Sequence, residues 1–358
     1  MMKVYFFPPS SEQNISINMI VEGLEYNGVE VVNKKYNKKG ALKKLLSSYI
    51  AYMKGTRVFH LNFVENYSAN KNLKSQIASK LILLWLKSLK VMGCKLVWTM
   101  NNKVSHNCTG DKTFHLAFLK KFIGMMDTIV VYCEESKTIL LSEYDYPEKQ
   151  ICSVAHGCFV PDKELTNEIR PRECLHILSF GLISKYKNIL MLASAFKELQ
   201  LKNCELLICG KCESEKMSRS LHDIVDGESN IIFKDGFLPE SEVDGLFEWA
   251  DIAIYPYETD SMLNSGAVIM GLSQGKPIIV SEFGYIKDIK NERFVISYAY
   301  RSEEDHKEQL KRILKECSER HAKDNAEFIQ LGREAYSFAH DNLDWHEICK
   351  KIAAYYVD

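Results

Sequence analysis

The chain has 358 residues, more than one core usually holds and close to the size of two ordinary domains. With 46% hydrophobic and 26% charged residues it is neither disordered nor fibrous, and a net charge of −1 offers nucleic acid no global field. The balance hides an asymmetry: residues 1–160 carry 21 Lys and Arg against 12 Asp and Glu, and residues 161–358 carry 25 against 35. A basic half joined to an acidic half predicts two modules with different partners.

The first run, Met1 to Phe7, is cut off by Pro8-Pro9 too soon for a secretion signal and reads as a buried strand. No later run has the roughly 18 charge-free apolar residues of a membrane span. Further strands are predicted at Glu30–Asn33, Arg57–Leu61, Lys95–Thr99 and Thr128–Val131. After a loop-rich junction, Gly157 to Glu173, five more follow at His176–Phe180, Glu205–Ile208, Asn230–Phe233, Ile252–Tyr255 and Pro277–Val280. Helical periodicity falls between them, as in Asn14–Tyr26, residues 71–92, Leu190–Gln200, Ser241–Trp249 and Ser265–Gln274, and a last helix is expected at Trp345–Tyr356. Strict alternation predicts an α/β chain of two parallel-sheet, Rossmann-like domains with five strands each. The eleven cysteines are scattered and sit in apolar runs, which predicts reduced core thiols in a cytoplasmic protein. The lone Cys209-Gly210-Lys211-Cys212 lacks the second pair a metal site needs.

Parallel sheets bind ligands beyond the carboxyl ends of their strands, so the loops there carry the candidate chemistry. In the second half, Phe180-Gly181-Leu182-Ile183-Ser184-Lys185-Tyr186-Lys187 joins a strand to a helix. Gly181 permits a sharp turn, and Lys185 and Lys187 add positive charge to a helix start suited to a phosphate. Tyr255-Pro256-Tyr257-Glu258 and Asn264-Ser265-Gly266 lead to a second helix start. Ser265 is an N-cap, Gly266 admits a ligand to the backbone, Tyr257 offers a ring to a base or sugar, and Glu258 accepts from hydroxyls. Two anion-receptive helix starts suit a diphosphate. In the first half, Asn62 and Glu65 follow one strand, and Asn101, Asn102 and His106 follow another. The amides suit sugar hydroxyls, and Glu65 and His106 are the candidate proton carriers. No P-loop, HExxH, GxSxG or GxGxxG sequence occurs, which disfavours P-loop NTPases, zincins, serine hydrolases and common dehydrogenases.

In order along the chain, these segments resemble the GT-B-fold nucleotide-sugar glycosyltransferases, close to the family-4-like enzymes of bacterial polysaccharide biosynthesis. Phe180–Asn188 is similar to that family's donor loop, with Lys187 at its diphosphate-binding lysine, and Leu206–Lys211 to the following strand. Asp235-Gly236-Phe237-Leu238-Pro239, Ala250-Asp251, Pro256-Tyr257, Asn264-Ser265-Gly266 and Gly275-Lys276-Pro277 continue the resemblance. Trp98-Thr99 with Asn102 and His106, and His156-Gly157 at the interdomain turn, carry it in the first half. The departures are Ser184 in place of an arginine, Asn101 and Asn62 in place of histidines, and Met262 and Met270 where retaining enzymes have paired glutamates.

The resemblance implies two Rossmann-like domains facing across a cleft. An acceptor domain would span 1–157, a nucleotide-sugar domain 158–340, and a helix at 341–358 would pack back on the first. It implies a metal-independent hexosyltransferase without cofactor that takes a UDP- or GDP-linked sugar. Gly181, Ser184, Lys185, Lys187, Tyr257, Glu258, Asn264, Ser265 and Gly266 would hold the donor. Asn62, Asn101 and Asn102 would hold a saccharide or lipid-linked acceptor in surface polysaccharide assembly, with His106 or Glu65 as base if the reaction inverts. A sugar-nucleotide epimerase of the same fold and a non-catalytic sugar-binding partner are the alternatives. The apolar helix at 71–92 reads as core against the first sheet. Yet its lysines, with Lys34, Lys35, Lys38, Lys39, Lys43 and Lys44, predict peripheral, salt-sensitive association with an anionic membrane on its inner face.

Overall fold

The β-branched runs of the first half pair into one parallel sheet and those of the second half into another. The computed structural model describes residues 1–9, 15–33, 41–105, 108, 112–159 and 172–357, without the side chains of 41–44 and 240. Two units result: Met1–Phe159 with Leu343–Asp358, and Val160–Asn342. His106, Lys34, Lys35, Lys38 and Lys39 lie outside the described residues, as do residues 160–171 of the expected junction.

The first unit runs β1 (Met2–Phe7), α1 (Ile15–Tyr26), β2 (Val29–Val31), α2 (Ala41–Met53), β3 (Val58–Asn62), α3 (Leu73–Val91), β4 (Lys95–Met100), α4 (Thr113–Ile123), β5 (Thr128–Val131), α5 (Glu134–Tyr144) and β6 (Ile151–Ser153). Its strand order is β2-β1-β3-β4-β5-β6, all parallel. Buried on both faces, β5 needs continuous apolar or β-branched sequence, and Thr128-Ile129-Val130-Val131 supplies it.

The second unit holds β7 (Leu175–Phe180), α6 (Ile189–Leu199), β8 (Cys204–Gly210), α7 (Glu215–Val225), β9 (Ile231–Asp235), α8 (Glu240–Trp249), β10 (Ile252–Tyr255), α9 (Gly266–Ser273), β11 (Ile278–Ser281), α10 (Gly284–Ile289), β12 (Val295–Tyr298), α11 (Glu303–Lys323) and α12 (Glu327–Asn342). Its order is β12-β11-β10-β7-β8-β9. Each sheet thus has six strands rather than the expected five. The additional strands, β6 and β12, are edge strands of three and four residues.

The last helix, α13 (Trp345–Val357), returns to the first unit. Trp345, Ile348, Cys349, Ile352 and Tyr356 form its buried stripe and join the core of α1 and β1. Two glycines make room for it. A Cβ on Gly23 would stand 2.7 Å from Cys349 Sγ, and one on Gly157 would stand 2.2 Å from the Trp345 ring.

Candidate functional site

In the second sheet the strand order reverses between β7 and β10, the crevice position where open α/β sheets receive ligands. The loops after these two strands are the two singled out by sequence, and the backbone joins them. Glu258 N–H donates to Tyr186 O at 2.7 Å, and the Asn188 side-chain amide donates to Pro256 O at 3.0 Å.

The first loop is held by its neighbours on β8. Gly181 N–H donates to Cys209 O and Ile183 N–H to Lys211 O, at 3.0 and 2.9 Å. Gly181 has φ +118°, and a Cβ there would stand 3.3 Å from Lys187 Nζ and 3.6 Å from Ala267 Cβ on α9. The glycine, the lysine and the start of α9 therefore line one point.

Lys187 ends a short 3-10 turn, is 7% exposed, and lies with its Nζ 5.0 Å from the centre of the Tyr257 ring. Among the described residues no carboxylate or carbonyl receives its charge. Burial pulls its pKa down to about 8. Such a desolvated cation can receive an anion. Ser184 Oγ is also buried; the Tyr186 hydroxyl is near but not in hydrogen-bonding geometry. Asn264 Oδ1 is buried without a partner as well. Ser265 caps α9 by accepting from Val268 N–H, and the helix's other first N–H groups have no acceptor within it.

Two side chains of the second crevice loop take other places than expected. Tyr257 is 1% exposed, enclosed by Tyr255, Phe283, Tyr186 and Lys187, so its ring supports the lysine and has no free face for a base. Glu258 accepts from Ser261 Oγ within its own loop. Lys185 is exposed, with its backbone N–H on Glu213 Oε1.

In the first unit Glu65 sits in a 3-10 turn after β3, 1% exposed, with neither carboxylate oxygen in a hydrogen bond. Burial pushes its pKa up to about 7; the turn's backbone N–H and the nearby, poorly aligned Trp98 indole N–H pull weakly the other way. Asn62 is buried with its Nδ2 unpartnered. Asn101 donates to Thr99 O at 3.3 Å, and Asn102 is half-buried. Glu65, Asn62, Asn101 and Asn102 all lie at the carboxyl ends of β3 and β4, the ligand-receiving edge of this sheet.

His60 is structural. Its Nδ1 meets Tyr356 Oη at 2.6 Å and its Nε2 meets Thr99 Oγ1 at 2.7 Å, and burial pulls its pKa to about 3, so it stays neutral and ties α13 to the sheet. Sequence reasoning missed His115. Ser105 N–H donates to its Nε2 at 3.2 Å, so the proton is on Nδ1, which faces Ser68 Oγ at 2.7 Å. With the Ser105 to Asn66 hydroxyl–amide bond of 2.6 Å, this fixes the loop after β4 against the turn that carries Glu65.

Among the described residues one set of metal-type ligands converges: Cys174, His176 and Glu205, with ligand atoms within 4.8 Å of one another. They lie at the amino ends of β7 and β8, the opposite edge from the crevice. No disulfide joins the cysteines, and burial raises both Cys209 and Cys212 to about 11, which makes them poor thiolates.

Residues 175–316, which include both crevice loops, match the family model described as glycosyl transferases group 1. No curated protein matches the chain by sequence. Sucrose-phosphate synthase from Thermosynechococcus elongatus is similar in structure, with TM-score 0.71 and 15% identity over 100% of this chain and 98% of that one. HepE of Anabaena in complex with UDP-glucose is similar at TM-score 0.68 and 12% identity, over 99% of each chain. WaaG, a glycosyltransferase involved in lipopolysaccharide biosynthesis, gives 0.60 and 14%, over 98% of each. The architecture of two parallel-sheet units is that of the GT-B glycosyltransferases.

Proposed function

We propose that the protein is a glycosyltransferase that moves a hexosyl group from a UDP- or GDP-linked donor to a saccharide or lipid-linked saccharide in surface polysaccharide assembly. The observation that carries this reading is Lys187, a buried cation without a counter-ion beside Gly181 and the start of α9, at the strand-order reversal. The match of residues 175–316 to group 1 glycosyl transferases and the UDP-glucose complex of similar HepE support it.

In this reading the second unit holds the donor. Breaking the anomeric bond leaves negative charge on the departing diphosphate. Lys187, Lys185 and the free N–H groups of α9 receive it, and Ser184 and Asn264 supply the unspent polar atoms. These groups do the work without a metal ion. The first unit holds the acceptor, with Asn62, Asn101 and Asn102 toward its hydroxyls. If the product is inverted, Glu65 takes the attacking hydroxyl's proton, with His106 as the other candidate. Cysteines outside disulfides fit a reducing, cytoplasmic setting.

The test is nucleoside diphosphate release from UDP- and GDP-sugars, with and without a lipid-linked saccharide and with EDTA. Release that needs the acceptor and survives EDTA is expected. Conversion of the donor to an epimeric nucleotide-sugar without net release would favour the epimerase, and binding with neither change the non-catalytic partner.

A further inference from the structure

The helix α3 has two apolar faces. Ile82, Trp85, Leu86 and Leu89 are buried on one, where Trp85 donates its indole N–H to Ser48 Oγ of α2 at 2.9 Å. On the other, Leu73, Ile77, Leu81, Leu84 and Val91 are half to four-fifths exposed, from 50% at Ile77 to 81% at Val91. At 3.6 residues per turn these five fall within an arc of about 80°, opposite the buried face, along about 27 Å of helix. The remaining exposed residues of α3 are Lys74, Lys80 and Lys87, so its open face consists only of aliphatic side chains and lysines. The adjoining α2, linked also by Tyr49 Oη and Ser88 Oγ at 2.6 Å, repeats the pattern. Its exposed described side chains are Leu46, Ile50 and Met53.

A soluble helix buries one face and solvates the other with polar groups, so aliphatic stripes this long mark a contact surface. The charge identifies the partner. Between Glu30 and Asp111 the sole acidic residue is Glu65, and it is buried. A second copy of the chain would set this lysine-edged face against itself with no carboxylate from either helix to answer it. An anionic lipid surface answers both properties: aliphatic side chains enter the headgroup boundary, and lysines meet phosphates. No described helix is long and apolar enough to cross a membrane, which suits a surface contact.

We infer that the exposed face of α2 and α3 docks the protein in the plane of an anionic membrane. The inference deepens the acceptor side of the proposed function, since a lipid-linked saccharide lies in that plane. It is read without nucleotide, so the two fail separately.

The experiment is flotation of the full chain with phosphatidylcholine vesicles, with and without phosphatidylglycerol, at low and high salt. Binding to the anionic vesicles at low salt and loss at high salt are expected. Leu81→Ser with Leu84→Ser should weaken partitioning at least tenfold, by removing two buried aliphatic groups. Lys80→Gln with Lys87→Gln should weaken it about 30-fold, two charges at ~1 kcal/mol each and ~1.4 kcal/mol per decade. Both pairs are exposed, so circular dichroism and UDP affinity should match the parent. Equal, negligible flotation with both vesicle types overturns the inference. So does a dimer in sedimentation equilibrium that Leu81→Ser with Leu84→Ser dissociates while vesicle binding is absent.

Discussion

Gly210 and Gly181 meet backbone to backbone: a Cβ on Gly210, at φ +151°, would stand 1.9 Å from the Gly181 carbonyl oxygen. The end of β8 and the first crevice loop thus touch with no room for a side chain. Gly210→Ala must move that loop, and Lys187 with it. The variant should lose about 2–4 kcal/mol of second-unit stability, combining strained backbone with a clash. Thermal denaturation checks the first effect. Calorimetry should show UDP affinity falling further than the stability loss explains, because loop and lysine are displaced together.

Lys187 should act with opposite sign on stability and on binding. Its folded pKa, about 8, is below the ordinary 10.5 of a lysine. Between these values the unfolded chain holds the extra proton, so this group's contribution makes the protein more stable as pH rises from 8 to about 10. An anion needs the charged form, so UDP affinity should fall over the same rise. Lys187→Met keeps the bulk and removes the desolvated charge. It should raise apo stability by about 1–3 kcal/mol and weaken UDP binding about 10- to 100-fold, the range of a charge-assisted hydrogen bond. Melting temperature and calorimetry on one sample separate the two, and a fall in both would refute the assignment.

The contrast between Lys187 and Tyr257 shows where sequence was readable. A glycine followed by lysines at a strand-to-helix turn is a local pattern, and the structure keeps Gly181 and Lys187 together. Tyr257 sits in an equally suggestive loop, but its burial depends on Tyr255, Tyr186 and Phe283, which only the tertiary fold assembles. His115 escaped for the same reason, since its partner Ser68 lies 47 residues away. Core strands such as β5 were legible because burial on both faces demands β-branched sequence.

Glu65 should make both stability and transfer depend on pH near neutrality. Its folded pKa of about 7 exceeds the ordinary 4.5, so the folded chain holds the extra proton between those values. Stability from this group is present below pH 4.5 and declines as pH rises toward 7. Glu65→Gln removes the decline and should stabilise the protein at pH 8 by about 1–3 kcal/mol. If Glu65 is the base, the same change lowers turnover about 100- to 10,000-fold and abolishes the rate limb near pH 7. A stabilised variant with an unaltered pH–rate profile would leave Glu65 a structural role alone.

Gly157 and Trp345 set how α13 seats on the first unit. A Cβ on Gly157 would fall 2.2 Å from two atoms of the indole ring, and its φ is not in the left-handed region, so the constraint is steric. Beyond this contact, Trp345 and the four other buried residues of α13 close the core over α1, and Tyr356 holds His60. Gly157→Ala should therefore cost about 2–3 kcal/mol, the range for an overpacked site with a rigid neighbour. A smaller side chain across the contact should relieve it. Trp345→Leu alone leaves a cavity and destabilises, but combined with Gly157→Ala it should restore at least about 1 kcal/mol relative to the sum of the single changes. Denaturant titration of the four proteins measures that coupling. Simple additivity would mean that the glycine is needed for something other than room for the indole.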